Sequence, residues 1–200
     1  MTTQSRQRRQ LTRADIIPLA EYAAMRRERR RQITALKQHR RVEVGPFATF
    51  YFESFDTMWQ QVQEMLYIEK GGEAQIADEL EAYNPLIPQG SELVATIMFE
   101  IDDPIRRTTV LTRIGGIEHT VFLEVAGERI RGTADSTREN TSADGKASSV
   151  QFVRFPFSAA QIAAFKAQGG RVLAGFDHPN YGHLAVIREP VRAALAEDFD

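Results

Sequence analysis

The sequence predicts an α+β fold: a single domain with a largely antiparallel sheet, flanking helices and a basic N-terminal helix. Its 200 residues, 42% hydrophobic and 26% charged, are typical of one globular domain with a sizeable core. Helical and alternating segments intermix without the regular strand–helix–strand repetition of a parallel sheet. Several predicted strands are separated by short turns, which favours antiparallel hairpins. We assign residues 11–200 to this domain and residues 1–10 to a mobile basic tail.

The N-terminal half alternates predicted helices with two short strands. Thr12 is placed to cap a first helix that begins near Asp15, and Pro18 is tolerated in its first turn. Aromatic side chains on both faces of the segment 47–53 indicate a buried strand. The predicted elements of this half are helices at 15–36, 56–70 and 73–83 and strands at 42–44 and 47–53.

The C-terminal half is richer in predicted strands. The segment 92–101 alternates so regularly that one face of its strand is wholly apolar. An acidic residue before Pro104 marks a helix start, and Ser158 with Gln161 has the spacing of a capping box. Residues 134–148 are polar, and we expect an exposed, mobile loop there. The predicted elements of this half are strands at 92–101, 117–125, 128–133, 150–157, 171–176 and 184–187 and helices at 103–114, 158–165 and from 190 onward.

Charge is distributed unevenly along the chain. The first 41 residues hold 12 Arg or Lys against three Asp or Glu, a net of +9, whereas the other 159 hold 13 against 24, a net of −11. Five of the six residues from 26 to 31 are arginine. Like charges along one helix repel each other and are costly to bury. This helix must therefore face solvent, the protein's own acidic body or an acidic partner.

The basic helix is the main candidate for a binding surface. Its arginines could bind an acidic protein or the phosphates of a nucleic acid. A solvated face, or one paired with the protein's own Glu64, Glu69 and Glu79, explains the same pattern. No RNP sequence or zinc finger accompanies the arginines, and the sequence pI is near 6.1. The predicted partner-binding residues are Arg26, Arg27, Arg29, Arg30, Arg31, Lys37, Arg40 and Arg41.

The histidines His119, His178 and His183 are the candidate metal ligands. His178 and His183 lie five residues apart across a turn, so their rings could converge beside the carboxylate of Asp177. The spacing matches no established zinc or iron motif. His119 alternates in phase with apolar neighbours, which predicts that it faces the core. A metal site and a purely structural role are the two alternatives for these residues.

Composition and motifs exclude several kinds of chemistry. The sequence contains no cysteine, which excludes disulfides, thiolate nucleophiles and cysteine-ligated metal clusters. It contains neither a glycine-rich phosphate loop nor a G-x-S-x-G elbow. We therefore predict no catalytic residue and no cofactor. The polar N-terminus lacks an apolar signal segment, and no stretch approaches the ~18 apolar residues of a membrane span, so we expect a cytoplasmic location.

Several segments together resemble a known family. The resemblance spans nearly the whole chain and points to a prokaryotic domain-of-unknown-function family of about this length. Its members are often encoded beside rubrerythrin-like proteins and an iron–sulfur oxidoreductase, so the resemblance implies an association with peroxide defence or electron transfer. The family has no established active site to carry over. The segments are LTRADIIPLAEY at 11–22, RRRQITALKQHRRVEVGP at 29–46, TMWQQVQEMLYIEK at 57–70, DELEAYNPLIP at 78–88 and GIEHTVFLEV at 116–125.

These observations support three functional hypotheses. The first is a non-enzymatic accessory protein that docks onto a redox partner, such as a rubrerythrin-like protein or an iron–sulfur oxidoreductase. The second is a nucleic-acid-binding protein that uses the arginine helix. The third is a small metal-dependent enzyme or metal sensor built on the histidines and a carboxylate.

Overall fold

Two antiparallel sheets and six helices make up the part of the chain that the structure describes, residues 8–167 and 169–200 of a computed structural model. The predicted α+β fold with a basic N-terminal helix is confirmed. Residues 1–7 of the predicted mobile tail lie outside the described residues. The helices are α1 (Leu19–Gln38), α2 (Phe55–Glu69), α3 (Gly72–Tyr83), α4 (Pro104–Arg113), α5 (Ala159–Lys166) and α6 (Glu189–Ala196). The strands are β1 (Arg41–Val44), β2 (Ala48–Phe52), β3 (Glu92–Phe99), β4 (Val121–Val125), β5 (Glu128–Arg131), β6 (Thr133–Ala134), β7 (Val150–Pro156), β8 (Val172–His178) and β9 (Tyr181–Val186).

The strands form two sheets in which every pairing is antiparallel. The first sheet has the order β1-β2-β3-β7-β6, and the second has the order β5-β4-β8-β9. The predicted strand at 128–133 divides between the two sheets at Gly132. A Cβ at this position would lie 2.5 Å from a methyl carbon of Val153 and 2.8 Å from one of Val121. Glycine is therefore required where the chain passes from one sheet to the other.

The main hydrophobic core lies between the two sheets. Phe50 of β2 is fully buried, with its ring centroid 6.4 Å from that of Phe155 in β7 and 5.2 Å from that of Phe176 in β8. The contact with Phe176 joins the first sheet to the second. Because alternate residues of a strand point to the same face, each sheet contributes every second side chain to this core.

A second core covers the outer face of the first sheet. Met58, Val62 and Leu66 lie four residues apart on one side of α2 and pack with Ile76 of α3 and Val94 of β3. α1 packs in turn against α2. The helices α1, α2 and α3 therefore lie on the side of the first sheet that is remote from the second sheet. Among the helices of the described segments, none is both long enough and apolar enough to cross a membrane.

The N-terminal helix begins later than predicted. Thr12 caps a single 3-10 turn, Arg13–Asp15, in which its backbone N–H donates to the Asp15 carboxylate at 2.8 Å. The chain is then extended at Pro18, with φ −58° and ψ 144°, and α1 begins at Leu19. The reason is local, because proline restricts the residue before it to extended conformations and so separates the turn from the helix.

The predicted polar loop at 134–148 connects β6 to β7. Its backbone forms an internal turn in which the N–H of Ser142 donates to the carbonyl oxygen of Lys146 at 2.9 Å. Ala147 is buried in the main core, and its N–H donates to the carbonyl oxygen of Leu111 at 3.0 Å. The C-terminal end of the loop is therefore attached to α4.

Candidate docking surface on the basic helix

Helix α1 has little apolar surface and still forms, because its sequence consists mainly of strong helix formers. Tyr22 is its one fully buried residue, so most of its side chains face solvent or lie at the boundary. Its 20 residues span about 30 Å at 1.5 Å per residue. The helix is therefore long enough to carry some arginines that face the protein and others that face solvent.

The inner side of α1 is attached to α2 by a polar network around Glu64. Arg26 donates to this carboxylate from Nε at 2.9 Å and from Nη2 at 2.8 Å. Tyr22 also donates to Glu64 and accepts a hydrogen bond from Gln60. The hydrogen bond from Arg26 lowers the pKa of Glu64, and burial, reinforced by Glu64, raises the pKa of Tyr22. Arg26 is therefore mainly a structural ion-pair partner.

Two of the three glutamates expected to pair with the arginine helix do not. The expectation is confirmed for Glu64. Glu69 and Glu79 instead accept hydrogen bonds from Gln75, each at 2.7 Å. Gln75 lies in the first turns of α3, so these carboxylates stabilise the junction of α2 and α3 rather than α1.

Arg29 also turns inward. Its guanidinium carbon lies 4.6 Å from the centroid of the Trp59 ring, and its Nη1 donates to Gln32 at 3.3 Å. The indole N–H of Trp59 donates to the carbonyl oxygen of Asp15 at 2.8 Å, which fixes the ring in place. A cation over an aromatic face is attracted by the ring quadrupole, so this arginine contributes to packing.

Arg40 was predicted to belong to the exposed surface, and the structure places it inside the protein. It is 6% exposed. Its guanidinium donates to the carbonyl oxygens of Phe52 at 3.0 Å and Glu53 at 2.9 Å and to the carboxylate of Asp198. Burial raises the pKa of Asp198 against the opposing effect of Arg40. The sequence could not show this, because the segment after α6 supplies the carboxylate.

Arg27, Arg30 and Arg31 remain on the solvent side of α1. The side chain of Arg31 is 79% exposed, and its ion pair with Glu28 in the same helix is an exposed contact of the kind that contributes little. Arg27 and Arg30 form no ion pair within the described segments. The three arginines line a shallow groove of about 700 Å³ together with Tyr67 and Gln38. The charge on this side is therefore available to a partner.

The groove continues beyond the end of α1. Gln38 also lines a second groove of about 560 Å³, which contains Arg41 and Arg188. This groove follows β1 and β9, the edge strands of the two sheets. An edge strand has main-chain N–H and C=O groups without a strand partner on one side. Arg41 is paired there with Glu43, an exposed contact between neighbouring residues of β1. We call Arg27, Arg30, Arg31, Arg41 and Arg188 the cationic strip.

The structure places two cations, Lys37 and Arg188, where the sequence did not predict them. Lys37 was predicted to bind a partner alongside the arginines, but its side chain lines a separate cavity with Tyr51 and Met98. Arg188 was not predicted, because it is far from α1 in sequence and no local motif marks it. Only the approach of β9 to β1 brings it beside Arg41.

The candidate histidines do not come together as a metal site. Within the described residues, no group of three or more His, Cys, Asp or Glu side chains is arranged to hold a metal ion. Nδ1 of His178 accepts from the N–H of Asn180 at 3.1 Å, so we assign its proton to Nε2, which lies 3.2 Å from the carbonyl oxygen of Gly115. The ring of His183 packs against Tyr181, with centroids 4.5 Å apart.

The prediction that His119 faces the core is wrong. Its side chain is 82% exposed, whereas Glu118 is buried and accepts a hydrogen bond from Thr141 at 2.8 Å. The predicted strand at 117–125 begins only at Val121, because Ile117–His119 form a 3-10 turn. In such a turn successive side chains do not alternate between two faces. The alternation that predicted a core-facing His119 therefore does not extend to this residue.

Comparison with known proteins identifies the family and leaves the activity open. The sequence profile of a family described as "Protein of unknown function (DUF3501)" matches residues 10–199. The chain belongs to this family, which confirms the resemblance found in the sequence. It is also similar to the crystal structure of a novel protein of unknown function from Burkholderia pseudomallei K96243, with 39% identity over 95% of this chain and 99% of that chain and a TM-score of 0.88. No curated protein matches the sequence.

Proposed function

We propose that this DUF3501 protein is a non-enzymatic cytoplasmic accessory protein that docks an acidic partner protein on its cationic strip. The observation that carries the proposal is that arginines within one basic segment have different environments. Arg26, Arg29 and Arg40 are engaged by the protein itself, whereas Arg27 and Arg30 are left without an ion pair in the described residues. Exposed like charges that the fold does not neutralise favour a negatively charged partner.

The position of the strip favours an acidic protein over a nucleic acid. The strip ends at two edge strands, where an extended polypeptide can form main-chain hydrogen bonds with β1 or β9. Carboxylates on such a segment would meet Arg188 and would compete with Glu43 for Arg41. The remainder of the chain, residues 42–200, has a net charge of −11 and would repel a long polyphosphate that extended beyond the strip.

The family resemblance suggests which partners to test first. The resemblance implies an association with rubrerythrin-like proteins and an iron–sulfur oxidoreductase. We therefore propose that the acidic partner belongs to this redox group.

A binding experiment with a defined probe tests the docking surface. The probe is a fluorescent eight-residue peptide of alternating Glu and Thr, and its neutral counterpart has Gln in place of Glu. Fluorescence anisotropy at low salt measures the affinity of the full-length protein for each. We expect the acidic peptide to bind, the neutral peptide to bind at least ~10-fold more weakly, and the Arg27→Glu, Arg30→Glu, Arg31→Glu triple variant to lose at least ~10-fold in affinity for the acidic peptide.

A matched control distinguishes the effect of the cationic strip on affinity from the effect of the protein's net charge. The Arg113→Glu, Lys146→Glu, Arg171→Glu variant changes the protein's charge by the same amount at positions outside the strip and should retain the wild-type affinity. If both variants lost the same affinity for the acidic peptide, the loss would be due to the protein's net charge, which would contradict the proposal. A duplex or single-stranded oligonucleotide that binds more tightly than the peptide, with affinity that falls steeply with salt, would replace the protein partner by a nucleic acid.

The purified rubrerythrin-like protein and iron–sulfur oxidoreductase are then tested individually by the same method. Binding of one of them, with loss in the strip variant and not in the control variant, supports the redox assignment. If the acidic peptide binds and neither redox protein does, the docking surface stands and the redox assignment is wrong.

A further inference from the structure

A cavity on the outer face of the first sheet is separate from the cationic strip. It has a volume of about 330 Å³ and lies among α1, α2, α3 and strands β2, β3 and β7. Its walls are mainly apolar, and they include Met58, Met98 and Phe152. Ligand pockets in proteins typically measure ~300–1,000 Å³ and combine apolar walls with a few polar groups. The cavity is therefore large enough for a small ligand.

Glu53 is the one carboxylate among the polar residues that line this cavity, the others being Lys37, Gln61 and Thr96. Glu53 is 6% exposed and lies at the end of β2. One carboxylate oxygen accepts from the hydroxyl of Thr57 at 2.6 Å, and the other accepts from the hydroxyl of Thr96 at 2.7 Å. Each oxygen can accept two hydrogen bonds, so each retains an acceptor site.

Glu53 has no cationic partner of the kind that two other buried carboxylates have, a property that it shares, within the described residues, with the buried Glu79 and Glu118. Asp198 is paired with Arg40, and Glu92 is paired with Arg154. Glu53 forms no ion pair with any residue in the described segments. A buried carboxylate is costly unless a cation or several hydrogen bonds compensate it, and two hydroxyl donors do so only in part.

The aromatic walls of the cavity also suit a cation. Tyr51 and Tyr83 line it together with Phe152, whose ring is already contacted by the guanidinium of Arg138 at 4.4 Å from its centroid. The hydroxyl of Tyr51 is fixed by donation to Glu100 at 3.0 Å. Ring faces attract organic cations, and the apolar side chains of Met58 and Met98 can contact a hydrocarbon body. Lys37 also lines this cavity, and it forms no ion pair in the part of the chain described.

We infer that this cavity binds a small organic amine, with its ammonium group on the Glu53 carboxylate and its apolar body against the methionines and aromatic rings. The ammonium would donate to the unused acceptor sites of the carboxylate and complete its compensation. The site is independent of the cationic strip, which attracts anions. The protein would then respond to a small metabolite as well as to a partner.

A titration with paired probes tests the site on the full-length protein. The probes are phenethylamine, protonated at neutral pH, and its neutral analogue 2-phenylethanol. Backbone amide chemical shifts in two-dimensional NMR report both affinity and location. We expect saturable shifts centred on residues 51–53 and 96–98, with phenethylamine binding at least ~10-fold more tightly than 2-phenylethanol, because only the amine can pair with Glu53.

Two variants test whether the amine binds to Glu53 and inside this cavity. Glu53→Gln should lose at least ~10-fold in amine affinity, and the exposed control Glu81→Gln should bind as the wild type does. Val150→Trp fills the cavity from a partly exposed position on its wall and leaves Glu53 intact, so it tests the site even if the Glu53 variant unfolds. Equal affinity for amine and alcohol, unchanged binding in either cavity variant, or no saturable binding to the wild type would each overturn the inference.

Discussion

Two arginines of the basic segment, Arg31 and Arg40, have opposite environments. Arg31, in the middle of α1, has a side chain that is 79% exposed, whereas Arg40, just after the helix, is 6% exposed as a residue. Arg40 is surrounded by carbonyl oxygens and the carboxylate of Asp198, so its charge is compensated inside the protein. Arg31 is paired only with Glu28 of the same helix, in an exposed contact that contributes little. Some arginines of this segment therefore contribute to stability, whereas close neighbours in sequence remain exposed for recognition.

The largest effect should come from Arg40. Replacing it by methionine, Arg40→Met, leaves Asp198 buried without its cation, and removing one partner of a buried ion pair typically costs ~3–5 kcal/mol. We expect a loss of this size in the free energy of unfolding measured by urea denaturation. Arg41→Met, at the next residue and exposed, is the control and should change stability by less than ~0.5 kcal/mol. Equal effects at the two positions would remove the distinction between the inner and outer arginines.

A similar contrast applies to the histidines. His178→Ala removes the hydrogen bonds to Asn180 and Gly115 inside the protein and should cost ~1–3 kcal/mol, whereas the exposed His119→Ala should be nearly neutral. Thermal unfolding with and without added zinc measures both the loss and any metal effect. Stabilisation of the wild type by zinc that disappears in a His178→Ala, His183→Ala variant would restore the metal hypothesis.

The pair between Arg26 and Glu64 should show a pH dependence. Because Arg26 lowers the pKa of Glu64 in the folded protein, the stabilisation is present above the ordinary glutamate pKa and is lost as the pH falls through the lowered value. Glu64→Gln should reduce stability at pH 7 by ~1.5–2 kcal/mol, less than Arg40→Met, since both side chains are partly exposed. Urea titrations between pH 7 and pH 2 compare the variant with the wild type. A difference that does not narrow at acid pH would contradict the assigned pairing.

The smallest effect on stability should come from the strip itself. The Arg27→Glu, Arg30→Glu, Arg31→Glu variant alters exposed side chains, and each substitution should change the free energy of unfolding by less than ~0.5 kcal/mol. Circular dichroism should show the helix content of the wild type. A large loss of stability in this variant would mean that these arginines have structural roles that their exposure does not indicate.

The sequence predicted the elements of the fold better than the directions of individual side chains. Periodicity is a local property, so α1, β3 and the capping box at Ser158 were predicted correctly in kind. Arg40 was misplaced because its partner, Asp198, lies at the other end of the chain. His119 was misplaced because a single 3-10 turn shifted the alternation, and Arg188 was missed because only the packing of two sheet edges brings it to the strip.

The most direct measurement of the central claim is a reversal of specificity. If the cationic strip recognises a partner by its charge, the Arg27→Glu, Arg30→Glu, Arg31→Glu variant should reject the Glu and Thr peptide and bind a peptide of alternating Lys and Thr, which the wild type rejects. Anisotropy titrations of both proteins with both peptides give four affinities. We expect each protein to prefer the peptide of opposite charge by at least ~10-fold. The same preference in both proteins would contradict the claim.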